Sequence, residues 1–144
     1  MNVRIRWTDH MSFVAETGSG HTVVMDGPPD HGGRNLAARP MEMILVGMGG
    51  CSAFDVMHTL NKARQPVEDC QVVLDAQRAD TVPAVFTKIH LHFLLAGPGL
   101  DPGRVKRAVE LSVEKYCSVI MMLRDGVDIT YDYEVLAHTG TSSG

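Results

Sequence analysis

Hydrophobic and polar positions alternate through the first 26 residues. Val3, Ile5 and Trp7 fall on one side and Arg4 and Arg6 on the other, the period of two that marks a strand with one buried face. Met11–Glu16 and His21–Met25 repeat the pattern, and the loop between them, Thr17-Gly-Ser-Gly, suits a hairpin. These predict an N-terminal three-stranded meander. Asp26–Arg39 has prolines and glycines but no period, so it reads as a long surface loop.

From Pro40 to Ala63 the pattern predicts a helix. Proline at its first position and Glu42 in its first turn favour the start, and Lys62 and Arg64 suit the end. Between Met43 and Phe54 no charge lies on any face, which requires protein cover all round. A helix of this length, roughly 36 Å, is more than one small domain can enclose, so a second copy of the chain is the expected cover. Gly47, Gly49 and Gly50 each cost about 1 kcal/mol of helix stability relative to Ala, and close backbone approach is the expected compensation.

Two longer alternating strands follow, Asp69–Arg78 and Val85–Ala96, with a turn at Asp80–Pro83. Asp101 then caps and Pro102 opens a second helix. Val105, Ala108, Val109, Ser112, Val113, Tyr116 and Cys117 lie on it at 3–4 spacing, and it stops near Gly126. Asp128–Leu136 is a last strand. The order β-β-β-α-β-β-α-β predicts an α+β protein, with residues 1–137 as one domain and 138–144 as a flexible tail.

Composition narrows the functional classes. With 144 residues and 44% apolar content, folding can bury roughly 70% of the unfolded surface, so a core needs no staples. A net charge of −4 without any basic block argues against nucleic acid or an anionic membrane as partner. No stretch holds the ~18 uncharged apolar residues of a membrane span. Arginines and a tryptophan occupy the place of a secretory signal's apolar run, so the expected location is cytoplasmic.

The candidate chemistry lies in the cysteines. Cys51, Cys70 and Cys117 show neither CxxC spacing nor a companion His-x3-His motif, so no metal site is expected from them. Cys51 sits mid-way along the apolar helix and Cys117 mid-way along the second. Both would face the core, where packed helices approach at about 8–10 Å and a disulfide is geometrically allowed. The plain alternative is that they are small core residues, as free cysteines often are; for Cys70, at a strand start, that reading is preferred.

Pro40-Met-Glu-Met-Ile-Leu-Val-Gly-Met-Gly-Gly-Cys51-Ser-Ala resembles the core motif of the OsmC/Ohr family, and Glu114-Lys-Tyr-Cys117-Ser-Val resembles its second cysteine motif. The element order matches too, so the resemblance covers nearly the whole chain and is strongest to the YhfA-like branch. It implies an OsmC-like fold, with antiparallel sheets wrapped round two central helices in an intertwined homodimer. It also implies a thiol peroxidase acting on organic hydroperoxides. Cys51 would be the peroxidatic nucleophile and Cys117 its disulfide partner. No cofactor would be needed beyond an external dithiol or lipoyl-type reductant. Met43, Met48, Phe54 and Met57 would supply an apolar substrate pocket.

In one respect the sequence departs from the family. The hydroperoxide reductases pair a glutamate, matching Glu42, with an arginine on the early hairpin that supports the thiolate. Between Arg6 and Arg34 this chain has neither arginine nor lysine. His21 stands near the expected place, and Arg34 and Arg39 lie on the following loop; these three are the candidate thiolate partners. Glu42, nine residues before Cys51, lies about 13 Å away along a continuous helix, so if it serves a cysteine it serves the partner subunit's; otherwise it stabilises the helix start. The missing arginine leaves a second reading open, a non-catalytic protein binding an apolar or thiol-reactive ligand at the dimer interface.

Asp55 and His58 follow Cys51 at i+4 and i+7. The two turns from Cys51 to His58 span about 10 Å, too far for direct proton transfer, so a papain-like arrangement is disfavoured. His90 and His92 share a strand face with no evident third metal ligand, and are expected to face solvent.

Overall fold

The computed structural model describes residues 1–137, so the expected tail at 138–144 lies outside the described residues. The chain divides into two compact units, Met1–Val46 and the rest from Gly47.

In the first unit β1 (Val3–Asp9), β2 (Ser12–Thr17) and β3 (Thr22–Met25) form the expected antiparallel meander. The expected buried face of β1 stays uncovered in this unit. Val3, Ile5 and Trp7 are 55%, 58% and 65% exposed, because the meander is a single layer and its own strands lie beside one another rather than over that face. The loop after β3 is ordered by Asp26. Its carboxylate is almost fully buried and accepts hydrogen bonds from the backbone N–H groups of Gly27, Arg34 and Leu36. These bonds, that of Gly27 foremost, hold its pKa below the ordinary carboxylate value.

Helix α1 (Pro40–Lys62) runs as its caps predict. Arg39 N–H donates to Glu42 Oε1 at 2.9 Å, the carboxylate half of a capping box. The helix has the length and apolar content of a membrane-crossing segment, yet one face packs into the core through Met48, Gly49, Ser52, Val56 and Leu60. Of the three glycines, Gly49 alone makes a close approach: a Cβ there would meet Leu74 Cδ1 at 2.8 Å, while at Gly47 and Gly50 it would meet open space.

The second unit holds β4 (Asp69–Arg78), β5 (Phe86–Ala96) and β6 (Asp128–Leu136) in the order β4-β5-β6. Alternation puts Ile89, Leu91, Phe93 and Leu95 on the buried face, with His90 and His92 on the other. The architecture is α+β with two sheets, as expected, but the second sheet is mixed. β4 is antiparallel to β5, whereas β6 runs parallel to it, since the helical segment between them is a crossover connection rather than a hairpin.

That crossover is the main departure from the expected elements. In place of one helix to Gly126 there is α2 (Pro102–Leu111), a π-helical turn (Ser112–Tyr116) and α3 (Ser118–Leu123). Asp101 caps α2 by accepting from Gly103 N–H at 2.9 Å, as its sequence foretells. At Cys117 the backbone is extended (φ −68°, ψ 110°), so this cysteine stands at a break, not mid-helix.

Candidate active site

Cys51 is carried by α1 and Cys117 by the break between the π-helical turn and α3. Ser112 opens that turn, and its fully buried hydroxyl donates to the Ser52 carbonyl at 2.9 Å, bonding the turn to α1 one residue beyond Cys51. The Ser52 hydroxyl in turn donates to the Gly49 carbonyl at 3.1 Å. At the far end of the turn, Cys117 N–H reaches back to the Ser112 carbonyl at 2.8 Å. Tyr131 of β6 holds the turn's outer side by donating to Glu114 Oε1 at 2.8 Å. Burial and then the neighbouring Glu114 push its pKa to about 12. The extra residue of a π-helical turn re-aims the chain beyond it, and such turns are frequent at functional sites.

The result is a cluster drawn from sequence positions 66 apart. The Sγ atoms of Cys51 and Cys117 and a carboxylate oxygen of Asp55 all lie within 4.8 Å of one another. Both cysteines are free thiols; Cys51 is half-buried and Cys117 fully buried. Burial, with Cys51 adding to it, pushes the Cys117 thiol up to about 11, against the opposing bonds from the Ile120 and Val119 N–H groups. Sequence spacing sets Asp55 beside His58; the structure sets it against the thiols. Its Oδ2 is buried without a hydrogen-bond partner, and burial raises the carboxyl's pKa, while His58 and the Ser112 hydroxyl oppose the shift.

The other expected site residues are placed differently. Phe54 and Met57 line an open cavity of about 380 Å³, but its cysteine is Cys70, not Cys51. The Cys70 thiol is itself shifted up by burial and by Asp69, which suits an inert residue. Met48 is fully buried in the core, and Met43 is half-buried on α1. His58 is stacked on Phe54, ring centroids 6.4 Å apart. In the first unit, His21 Nδ1 is 3.1 Å from Ser19 Oγ, and Arg34 is paired with Asp9 at 2.6 Å. Glu42 and Arg39 are joined in the cap of α1.

A polar ladder on the outer face of the second sheet was half legible. His90 and His92 share that face as expected, and β6 brings Asp132 to 2.9 Å from His90 Nε2 and 2.6 Å from His92 Nδ1. Glu134 Oε1 lies 3.3 Å from His92 Nε2. The bond to Asp132, then that to Glu134, raises the pKa of His92; the bonds from His92 and His90 lower that of Asp132. Protonated His92 therefore stabilises the fold fully below its ordinary value of 6.5, and this is lost as pH rises through its elevated folded value. Asp132 contributes above its ordinary 3.8, and its share is lost as pH falls through its depressed value. By NMR, His92 is expected to titrate above 6.5 and to fall toward that value in Asp132→Asn. A midpoint that the substitution leaves unchanged would contradict the ladder.

Comparison with known proteins identifies the family. The family model described as OsmC-like protein matches residues 31–132. The chain belongs to the OsmC-like family. The OsmC-like protein is 47% identical over 137 residues to Protein YhfA of Escherichia coli K12, across 95% of this chain and 99% of that one. A hypothetical protein of Aquifex aeolicus VF5 shares the fold with a TM-score of 0.83 and 29% identity, covering 95% and 96% of the two chains. An organic hydroperoxide resistance protein OsmC of Legionella pneumophila shares it with a TM-score of 0.68, over 93% and 96%, and at 18% identity the likeness is one of fold.

Proposed function

We propose that this protein reduces organic hydroperoxides through Cys51 and Cys117. The observation that carries the reading is the approach of the two free thiols, brought together by the π-helical turn. In this mechanism the Cys51 thiolate attacks the distal peroxide oxygen and the O–O bond breaks. The alkoxide takes a proton and leaves as the alcohol, and Cys51 becomes a sulfenic acid. The Cys117 sulfur then attacks the Cys51 sulfur, expelling hydroxide that is protonated to water, and a disulfide forms. An external dithiol, a lipoyl-type group being one example, supplies two electrons and two protons to restore both thiols. The half-buried Cys51 is the nucleophile because Cys117 is fully buried and its thiol is held at about 11. Once Cys51 is oxidised, its part in raising the Cys117 pKa disappears, which favours the second step.

The catalytic unit in this proposal is a homodimer. Its support is the uncovered apolar surface on each unit: Val3, Ile5 and Trp7 on β1, and Phe54, 72% exposed, on α1. Glu42 would act across that interface if it acts on a cysteine. His21, Arg34 and Arg39 would be the candidate basic partners of the thiolate in place of the family's hairpin arginine. A cysteine cycle restored by an external dithiol fits a reducing, cytoplasmic setting. Sedimentation is expected to give twice the chain mass of 15.7 kDa; a monomer would refute the dimer.

The reading is tested by following cumene or tert-butyl hydroperoxide in the presence of dithiothreitol. Loss of peroxide should rise in proportion to added protein and be unchanged in Cys70→Ser. No loss above the dithiothreitol background would leave the non-catalytic, ligand-binding reading, which the missing hairpin arginine favours.

A further inference from the structure

Asp55 is not accounted for by the thiol chemistry. A carboxylate oxygen with no hydrogen-bond partner, buried beside two thiols, is a costly arrangement for a fold to keep. Two sulfurs and one oxygen converging within 4.8 Å are also a donor set. Cys51 and Asp55 stand at i and i+4, the spacing that puts two ligands on one helix face, and Cys117 approaches from a separate element fixed by the Ser112–Ser52 bond. Thiolates select thiophilic divalent ions, and zinc accepts Cys and Asp together at about 2.3 and 2.0–2.2 Å. Ligands now up to 4.8 Å apart need only small side-chain rotations to close on one ion.

We propose that the dithiol form of this protein binds one zinc ion through Cys51 Sγ, Cys117 Sγ and Asp55. The ion gives the unpartnered Asp55 Oδ2 a charged partner and draws off both thiol protons. Three protein ligands leave the fourth tetrahedral position open. Of the three ligands, Asp55 also lines a cavity of about 620 Å³, together with His58, Thr59, Lys62, Leu111 and Tyr116. Disulfide formation removes both sulfur ligands, so zinc and the disulfide exclude each other. The binding itself requires only the reduced thiols and stands whether or not the protein turns over hydroperoxides.

The test is titration of the reduced, metal-free full-length protein with Co²⁺, followed by Zn²⁺. Thiolate-to-cobalt charge transfer in the near ultraviolet should saturate at one ion per chain and be abolished by one equivalent of zinc. Cys117→Ser should weaken binding ~100-fold or more, Asp55→Asn about tenfold or more, and Cys70→Ser not at all. A measurement on the unaltered chain guards against variants that misfold: zinc should slow alkylation of Cys51 by iodoacetamide and leave that of Cys70 unchanged. Absence of the charge-transfer band, a band lost only in Cys70→Ser, unaltered affinity in a folded Asp55→Asn, or Cys51 alkylation indifferent to zinc would each overturn the proposal.

Discussion

Replacing Cys51 by serine is expected to lower hydroperoxide turnover ~1,000-fold or more, because a hydroxyl of far higher pKa replaces the only half-buried thiol of the cluster. Cys117→Ser should behave differently. It keeps the nucleophile but lacks the partner sulfur, so one peroxide should be consumed quickly per chain and Cys51 should then persist as a sulfenic acid, trappable with dimedone. Subsequent turnover would depend on direct reduction by the external thiol. Measuring single-turnover and steady-state rates on both variants separates the two roles. Equal loss of the first turnover in Cys117→Ser would contradict the assignment of Cys51 as nucleophile.

Phe93→Ala should give the largest stability loss of any single truncation in the second unit. Phe93, in the second half of β5, is the largest fully buried side chain among the described residues. Removing a buried phenylalanine costs about 3–5 kcal/mol through lost transfer energy and the cavity left behind, a large share of the ~5–15 kcal/mol that holds an ordinary domain folded. Denaturant unfolding at fixed protein concentration measures it, concentration being held because association contributes to apparent stability. A change below about 1 kcal/mol would mean that this strand does not form the core.

Most of the element boundaries were legible because their signals are local. Asp101 and Pro102 mark the start of α2, and alternation from Asp69 to Ala96 marks both long strands and the buried side of β5. The break before Cys117 was not. Apolar residues from Val105 to Cys117 keep helical spacing straight through it, and a single extra residue in a π-helical turn leaves no mark on that periodicity. The direction of β6 was hidden likewise, since alternation reports faces and not partners. Asp26 as organiser of the following loop was foreshadowed only by the Asp-Gly-Pro-Pro run, which marks a turn but not which N–H groups the carboxylate will hold.

The candidate site divides along the same line. The motifs single out Cys51 and Cys117, and their expected approach is met by sulfurs within 4.8 Å of each other. Asp55 as their third neighbour was not, although its i+4 spacing from Cys51 was plain, because only the placement of Cys117 shows which way that helix face looks. The apolar pocket assigned to Phe54 and Met57 went instead to Cys70, since these two side chains step progressively round the helix from Cys51 toward the flank that carries Gly50 and Asn61.

The proposed chemistry depends on Cys51 and Cys117 forming a redox pair. Its most direct test is to treat the reduced protein with one equivalent of cumene hydroperoxide, block remaining thiols, and map the cysteines by mass spectrometry after proteolysis. The expected product is a chain lighter by two hydrogen atoms before alkylation, with Cys51 and Cys117 joined in one cross-linked peptide pair and Cys70 alkylated as a free thiol. Cys117 recovered as a free, alkylated thiol while Cys51 is over-oxidised or untouched would contradict it.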